Sequence, residues 1–158
     1  MSPSERAAAG NAAQAGTLSG ELGIVWELLE AGHVVGGLVV AHRHLAPLIL
    51  PGGVARPPEA GFVHAGSVVS LADTACGFGC AASLPPGAVD FTTVELKSNF
   101  LSTARLGEAV GCEARLVHGG RTTQVWDATV VNRSSGKTMA LFRCTQLLLS
   151  PRPAAPPA

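Results

Sequence analysis

The residues best able to do chemistry in this chain are few and close together. Between Glu59 and Asp90 the only acidic or basic side chains are His64 and Asp73, in the stretch GFVHAGSVVSLADTACGFGCAASLPPGAV. From Gly66 to about Ala82 this stretch reads as a helix that is apolar or small nearly all round, and such a helix is ordinarily buried. An ionised carboxylate in dry surroundings is costly unless it is paired. Asp73 is therefore either satisfied by buried backbone and Ser groups or kept for reaction. On a 3.6-residue period Gly66, Ser70, Asp73 and Gly77 share one narrow stripe, while Val68, Val69, Leu71, Ala72, Ala75, Cys76 and Phe78 take the other faces. Small residues around an acid leave room for a ligand. An acid so placed can act as a general base on water or as a nucleophile.

Just upstream, His64-Ala65-Gly66 brings backbone N–H groups to the helix start, with Gly66 or Ser67 as the cap. Those amides lack intrahelical partners, and the helix dipole adds positive potential. They can polarise a carbonyl or stabilise an oxyanion. Gly66 and Asp73 are seven residues apart, about 10 Å along a helix axis, too far for one carbonyl to meet both. Two copies with these helices antiparallel would set one chain's amides against the other chain's Asp73.

The elements around the helix follow from pattern. Leu22–Leu29 and His33–His42 read as two strands joined at Glu30-Ala31-Gly32, although GIVWELLE also suits a helix. Residues 45–59 hold four Pro and a Gly pair and read as loop with one short turn of helix. Leu84-Pro85-Pro86-Gly87 stops the central helix. Thereafter the period is two: Thr93–Leu101, Ala109–His118, Arg121–Asn132 and Lys137–Leu149 form four strands with turns at Gly119-Gly120 and Ser134-Ser135-Gly136. In the first of them Val94, Leu96 and Phe100 alternate with Thr93, Glu95, Lys97 and Asn99. The expected architecture is two strands, a buried helix and four strands, with an antiparallel sheet curled around the helix. Residues 1–19 are expected to be a flexible segment or one loose helix, 20–150 the domain, and 151–158 an unstructured Pro-rich tail.

Composition narrows the classes. The chain has 158 residues, 47% hydrophobic and only 14% charged, which suits one domain that hides a face in an oligomer. Zero formal net charge argues against nucleic-acid or membrane-surface partners. No uninterrupted apolar run is long enough to span a bilayer. The N-terminus lacks the apolar core of a secretory signal, so a cytoplasmic location is expected. Cys76, Cys80, Cys112 and Cys144 form no C-x-x-C pair and read as small buried hydrophobes rather than a metal or redox site. His42 and His44 alternate along the expected second strand and would share a face; no metal is expected there.

The order of H-x-G (64–66), S-x-x-x-L-A-D (67–73), VELKSNFL (94–101) and HGGRTTQVWDATVVN (118–132) resembles the hotdog-fold acyl-CoA thioesterases, in the phenylacetate-pathway and 4-hydroxybenzoyl-CoA branch. The likeness runs from Gly20 to Leu149. It implies an α+β hotdog fold, an antiparallel sheet wrapped around a long central helix. It also implies a homodimer with active sites at the subunit interface, commonly doubled to a homotetramer. The substrate implied is an acyl-CoA, with coenzyme A part of the substrate and no separate cofactor.

Carried over, Asp73 takes the place of the family's catalytic acid and Ala65 that of the residue whose N–H polarises the thioester carbonyl. His64 and Gly66 complete that loop. Arg121, Thr122 and Thr123 match the turn that contacts CoA phosphates, and Asn99 a polar position near the site. The chain departs from the family pattern at Ala65, where Gly is usual, at Ser102, where Arg is common and Arg105 becomes the nearer base, and at Gly77, where some relatives carry a hydroxyl. A hydratase or dehydratase acting on an acyl thioester, and a non-catalytic acyl-CoA-binding module, are the rival readings. The first calls for a His paired with the acid, and the second tolerates loss of Asp73. The acyl group stays open, with Trp26 and Phe62 as candidate pocket residues.

Overall fold

A short capped helix at the N-terminus closes one side of a sheet. The computed structural model describes residues 1–47, 49–50, 52–55 and 57–151. Helix α1 (Pro3–Ala13) starts at Ser2, whose hydroxyl accepts from the Glu5 amide while the Glu5 carboxylate accepts from the Ser2 amide. A second, single-turn helix α2 (Leu18–Glu21) leads into strand β1 (Val25–Glu30). Asn11 donates to the Trp26 carbonyl at 3.0 Å and accepts from the Trp26 amide at 2.8 Å, as a neighbouring strand would. Gln14 bonds the Ile24 carbonyl and the Trp26 indole, and Arg6 bonds the Leu29 carbonyl. Of the flexible segment or loose helix expected here, residues 3–13 form a helix that covers the sheet edge at β1. The Pro-rich tail from 152 onward lies outside the described residues.

Strand β2 (His33–Val39) follows the expected turn. It ends before His42, and the chain turns through a 3-10 helix over His42–His44, so those two His do not share a strand face. The expected loop contains a small hairpin, β3 (Ile49–Leu50) with β4 (Val54–Ala55), and a 3-10 turn at Pro58–Ala60. The central helix α3 (Ala65–Ala82) is followed by β5 (Asp90–Phe100), β6 (Ala109–Gly119), β7 (Thr123–Asn132) and β8 (Lys137–Leu149). Six strands form one antiparallel sheet in the order β1-β2-β6-β7-β8-β5. It wraps α3, as the resemblance implies. Among the described residues one helix, α3, is long and apolar enough to cross a membrane, but its apolar side faces the sheet.

The core is the seam between α3 and the sheet. Leu71, Ala72, Ala75, Cys76 and Cys80 pack there with Val34, Cys112, Ala114, Trp126 and Cys144. All four cysteines are buried and unpaired, as expected of small core residues. Gly79 lets the Trp126 ring approach the helix closely, since a Cβ at that position would overlap the indole. The ring cannot slide away easily, because its Nε1–H donates to Gln124 at 2.8 Å. Gly79→Ala therefore sets a helix-propensity gain of ~1 kcal/mol against an overpacking cost of ~1–3 kcal/mol. The clash is direct and is expected to win. A thermal melt should show Tm lowered by a few degrees, and a raised Tm would mean that the indole yields freely.

One irregularity in β5 matters for the site. Its register with β8 shifts between Thr93 and Glu95, a bulge at Val94. Thr93 lies opposite buried Gln146, whereas Glu95, Lys97 and Asn99 lie opposite Thr145, Arg143 and Leu141 on the outer face. The alternation expected from the sequence is broken there: Thr93 turns toward α3 and does not share a face with Glu95. Bulges often re-aim one side chain in this way.

Candidate active site

The start of α3 is built from two histidines. His64, not Gly66 or Ser67, is the N-cap: its Nδ1 accepts from the Gly66 amide at 2.8 Å. A Cβ on Gly66 would stand 2.9 Å from that Nδ1, so glycine keeps the imidazole seated. With Gly66 occupied, the Ala65 amide is the first-turn N–H with no partner among the described residues. Ala65 does not need a glycine, because no non-glycine residue here has positive φ. Its Cβ is accommodated without backbone strain.

Beneath this turn His44 is buried and fully bonded. Its Nδ1 accepts from the Ala41 amide and its Nε2–H donates to the Leu22 carbonyl, both at 2.8 Å. Its own carbonyl accepts from the His64 amide at 2.7 Å and the Ser67 hydroxyl at 3.2 Å. Burial pushes the His44 imidazole below its ordinary pKa, with Arg43 adding to the effect. The unfolded chain binds this proton near pH 6.5, while the folded site resists it. Stability is then whole above that pH and declines as pH falls below it. Tm is expected to drop between pH 7 and pH 5, and His44→Gln should flatten the drop. Parallel curves for the two proteins would contradict the assignment.

Two turns along, Asp73 stands on the one face of α3 that the sheet leaves open, with Ser70, Thr74, Gly77 and Phe78 also only partly covered. Thr93 Oγ1 is 3.2 Å from Asp73 Oδ1. Burial raises the Asp73 pKa above the usual carboxylate range, and the Thr93 hydroxyl offsets part of that rise. Beside the acid is a cavity of about 350 Å³ lined by Asp73, Thr74, Gly77, Phe78, Ala81, Phe91 and Thr93. Its walls are mostly apolar. Phe78 and Phe91, rather than Trp26 and Phe62, provide its aromatic surface; Trp26 is buried behind Phe78, ring centroids 5.2 Å apart. Gly77 carries no hydroxyl and opens the floor toward Phe91.

The other expected residues lie apart within one protomer. Arg121 and Thr122 are exposed in the β6–β7 turn, which is fixed by backbone bonds from Gly120 to Thr123 and from Leu148 to Thr122. That turn is at the same sheet end as Thr93, since Thr123 pairs with Leu147 and Phe91 with Leu148. Asn99 faces the outer side of the sheet in a groove with Lys97, Asp127 and Arg143, away from α3. Ser102 donates to the Thr138 carbonyl, and Arg105 reaches the Ala60 and Gly61 carbonyls. Ala65 and Asp73 are eight residues apart on one helix, about 12 Å by the helical rise. Sequence reasoning missed Thr93, which the bulge delivers, and the Phe78–Phe91 walls. Among the described residues no three His, Cys, Asp or Glu cluster as a metal site would require.

Residues 60–139, half of the chain, match the family model described as the thioesterase superfamily. A 1,4-dihydroxy-2-naphthoyl-CoA hydrolase of Listeria monocytogenes serotype 1/2a (strain 10403S) is 33% identical over 85 residues, 54% of this chain and 67% of that one. The acyl-coenzyme A thioesterase PaaI of Escherichia coli (strain K12) is 34% identical over 80 residues, 51% of this chain and 54% of that one. The solved structure of the E. coli PaaI protein, from the phenylacetic acid degradation operon, superposes with a TM-score of 0.72 at 25% identity, covering 94% of this chain and 97% of that one. The structure of smu.793 from Streptococcus mutans UA159 bound to acetyl CoA gives a TM-score of 0.64 at 25% identity over 82% of this chain and 91% of that one. The chain belongs to the thioesterase superfamily and is a thioester hydrolase of the hotdog fold.

Proposed function

We propose that the protein hydrolyses an acyl-CoA thioester to the free acid and coenzyme A, with its active site shared between two copies. The supporting observation is the pairing of two groups on α3: an unpartnered Ala65 amide at the helix start and a half-buried Asp73 beside an apolar cavity. The Ala65 N–H, with the helix dipole behind it, draws electron density from the thioester carbonyl. Asp73 of the other copy takes a proton from water as the water oxygen bonds to the carbonyl carbon. The tetrahedral oxyanion rests on the amide, then the C–S bond breaks and the sulfur leaves with its electron pair. In the alternative course the carboxylate attacks directly and water cleaves the resulting anhydride. Both courses use protein groups and water alone, and CoA enters as part of the substrate.

The homodimer is supported by β5. It is the free edge of the sheet, eleven residues long, with Val94, Leu96 and Phe100 exposed. Such an edge invites pairing with a second copy. Exposed Val117, Leu141 and Leu147 on strands of the same sheet support a further doubling to a homotetramer. In that assembly Arg121, Thr122 and Thr123 are the polar groups we assign to the CoA moiety, Arg121 as the phosphate partner. Phe78 and Phe91 favour a flat aromatic acyl group, since rings pack well against ring edges and faces. The aromatic substrate named for the Listeria relative agrees with this. Among the described residues no His lines the cavity, which weighs against the hydratase reading.

The test is thiol release from a panel of benzoyl-, phenylacetyl-, hexanoyl- and acetyl-CoA, run with the oligomeric state measured in parallel. The aromatic esters should turn over fastest and the protein should be a dimer or larger. Binding of all four without thiol release would convert the reading to that of a CoA-ester-binding module.

A further inference from the structure

The buried side of the Asp73 network determines where the Thr93 proton goes. Thr93 Oγ1 has one proton and two oxygens within reach, Asp73 Oδ1 at 3.2 Å and Gln146 Oε1 at 3.0 Å. Gln146 is fully buried. With its Oε1 toward Thr93, its amide nitrogen meets, among the described residues, only Cys144 Sγ, at 3.4 Å. A thiol sulfur is a weak acceptor, and a buried amide without a good acceptor is costly. Turning the amide by a half-rotation keeps its shape and exchanges donor and acceptor. Nε2 then donates to Thr93 Oγ1, and the Cys144 thiol donates to Oε1. The Cys76 thiol behind Cys144, pushed up by that neighbour and by burial, stays protonated. The Thr93 oxygen is then an acceptor from Gln146, and its proton is left for the carboxylate alone.

We propose that Gln146 is a positioning residue: its side-chain amide donates to Thr93 and so commits the Thr93 hydroxyl to Asp73, aiming the carboxylate into the cavity. The proposal rests on the thioesterase reading with Asp73 as the reacting acid. Among the described residues, the titratable group in electrostatic contact with Asp73 is Cys76 on the same helix. From β5 come Thr93 and Phe91, neither charged, and from β8 come Gln146 and, behind it, Cys144. No fixed cation competes with Thr93 for control of the carboxylate among these neighbours.

The test is the acid limb of the pH–rate profile on an accepted acyl-CoA. The same titration is read without turnover from the difference in Tm between Asp73 and Asp73→Asn chains across pH. Gln146→Met keeps the volume but removes the donor that holds the Thr93 hydroxyl in its orientation toward Asp73, so the limb should move up by about one pH unit, with a roughly tenfold lower rate on the limb and little change in KM. Thr93→Val should move it further in the same direction, and Thr93→Ser should restore it. The double variant should move it no further than Thr93→Val alone, because Gln146 acts only through Thr93. Should Gln146→Met fail to fold, Gln146→Leu removes the same donor without adding a charge beside Asp73, and the limb must again rise. An unmoved limb in the Gln146 variants, or a double variant equal to the sum of its parts, overturns the proposal. An Asp73→Asn enzyme with full turnover instead removes the thioesterase reading of this acid.

Discussion

Asp73→Asn is expected to lower turnover of an acyl-CoA on the order of 10²–10⁴-fold, the usual worth of a positioned general base. Asn keeps the shape and can still accept from the Thr93 hydroxyl, but it cannot take a proton from water or form an anhydride. The same change should raise Tm at pH 7. Burial holds the Asp73 pKa up, so the ionised carboxylate costs the folded state stability at every pH above that raised value. The cost fades as the group protonates on acidification. The advantage of Asn is therefore full at neutral pH, begins to fade as pH falls through the raised Asp73 pKa and is gone below the ordinary Asp value. Loss of activity together with a gain of stability distinguishes a reacting group from a structural one, because a structural acid would lose both. Wild-type turnover in a folded Asp73→Asn oligomer would exclude the assignment.

Ala65→Pro should be nearly as damaging to catalysis and nearly silent in stability. Ala65 is the first residue of α3, where the amide has no intrahelical partner and proline is well tolerated. The preceding His64 is extended, at φ −69° and ψ 139°, the conformation a following proline prefers. The substitution removes one N–H and little else. Turnover should fall on the order of 10²–10³-fold, as when one oxyanion donor is deleted. Tm should stay within about 3 °C, since no hydrogen bond made by the chain is lost. Ala65→Gly retains the N–H and should retain the rate. Full turnover in Ala65→Pro would show that the carbonyl is polarised elsewhere.

The central helix and its lone acid were legible because apolar and small residues recur at helical spacing around Asp73. The four-strand meander was legible because Gly119-Gly120 and Ser134-Ser135-Gly136 punctuate runs of period two. The N-terminal helix was half legible: its Ala-rich composition allows a helix but has no apolar stripe to dock it, and it is held by Asn11 and Gln14 standing in for a strand's backbone. The His64 cap was hidden because imidazole is not an ordinary capping group. The bulge at Val94 left no mark in composition, and without it Thr93 cannot be placed beside Asp73. It also fixes Asn99 on the outer face, where the resemblance had set it near the site. Gln146 did leave a signal. In the run CTQLLL it shares the inward phase of Cys144 and Leu148, where an apolar residue would be expected. A polar side chain in that phase marks a buried polar contact.

The central claim is that one chain's Ala65 amide works with another chain's Asp73, and mixing two inactive variants tests it most directly. Ala65→Pro chains keep the acid and lack the amide, and Asp73→Asn chains keep the amide and lack the acid. Each homodimer is crippled. After equal mixing and subunit exchange, half the dimers should be mixed, each with one complete site, restoring about a quarter of wild-type activity if sites are shared across a two-fold interface. If amide and acid act within a single chain, no mixed dimer has a complete site, and activity that stays at the level of the parents would contradict the account.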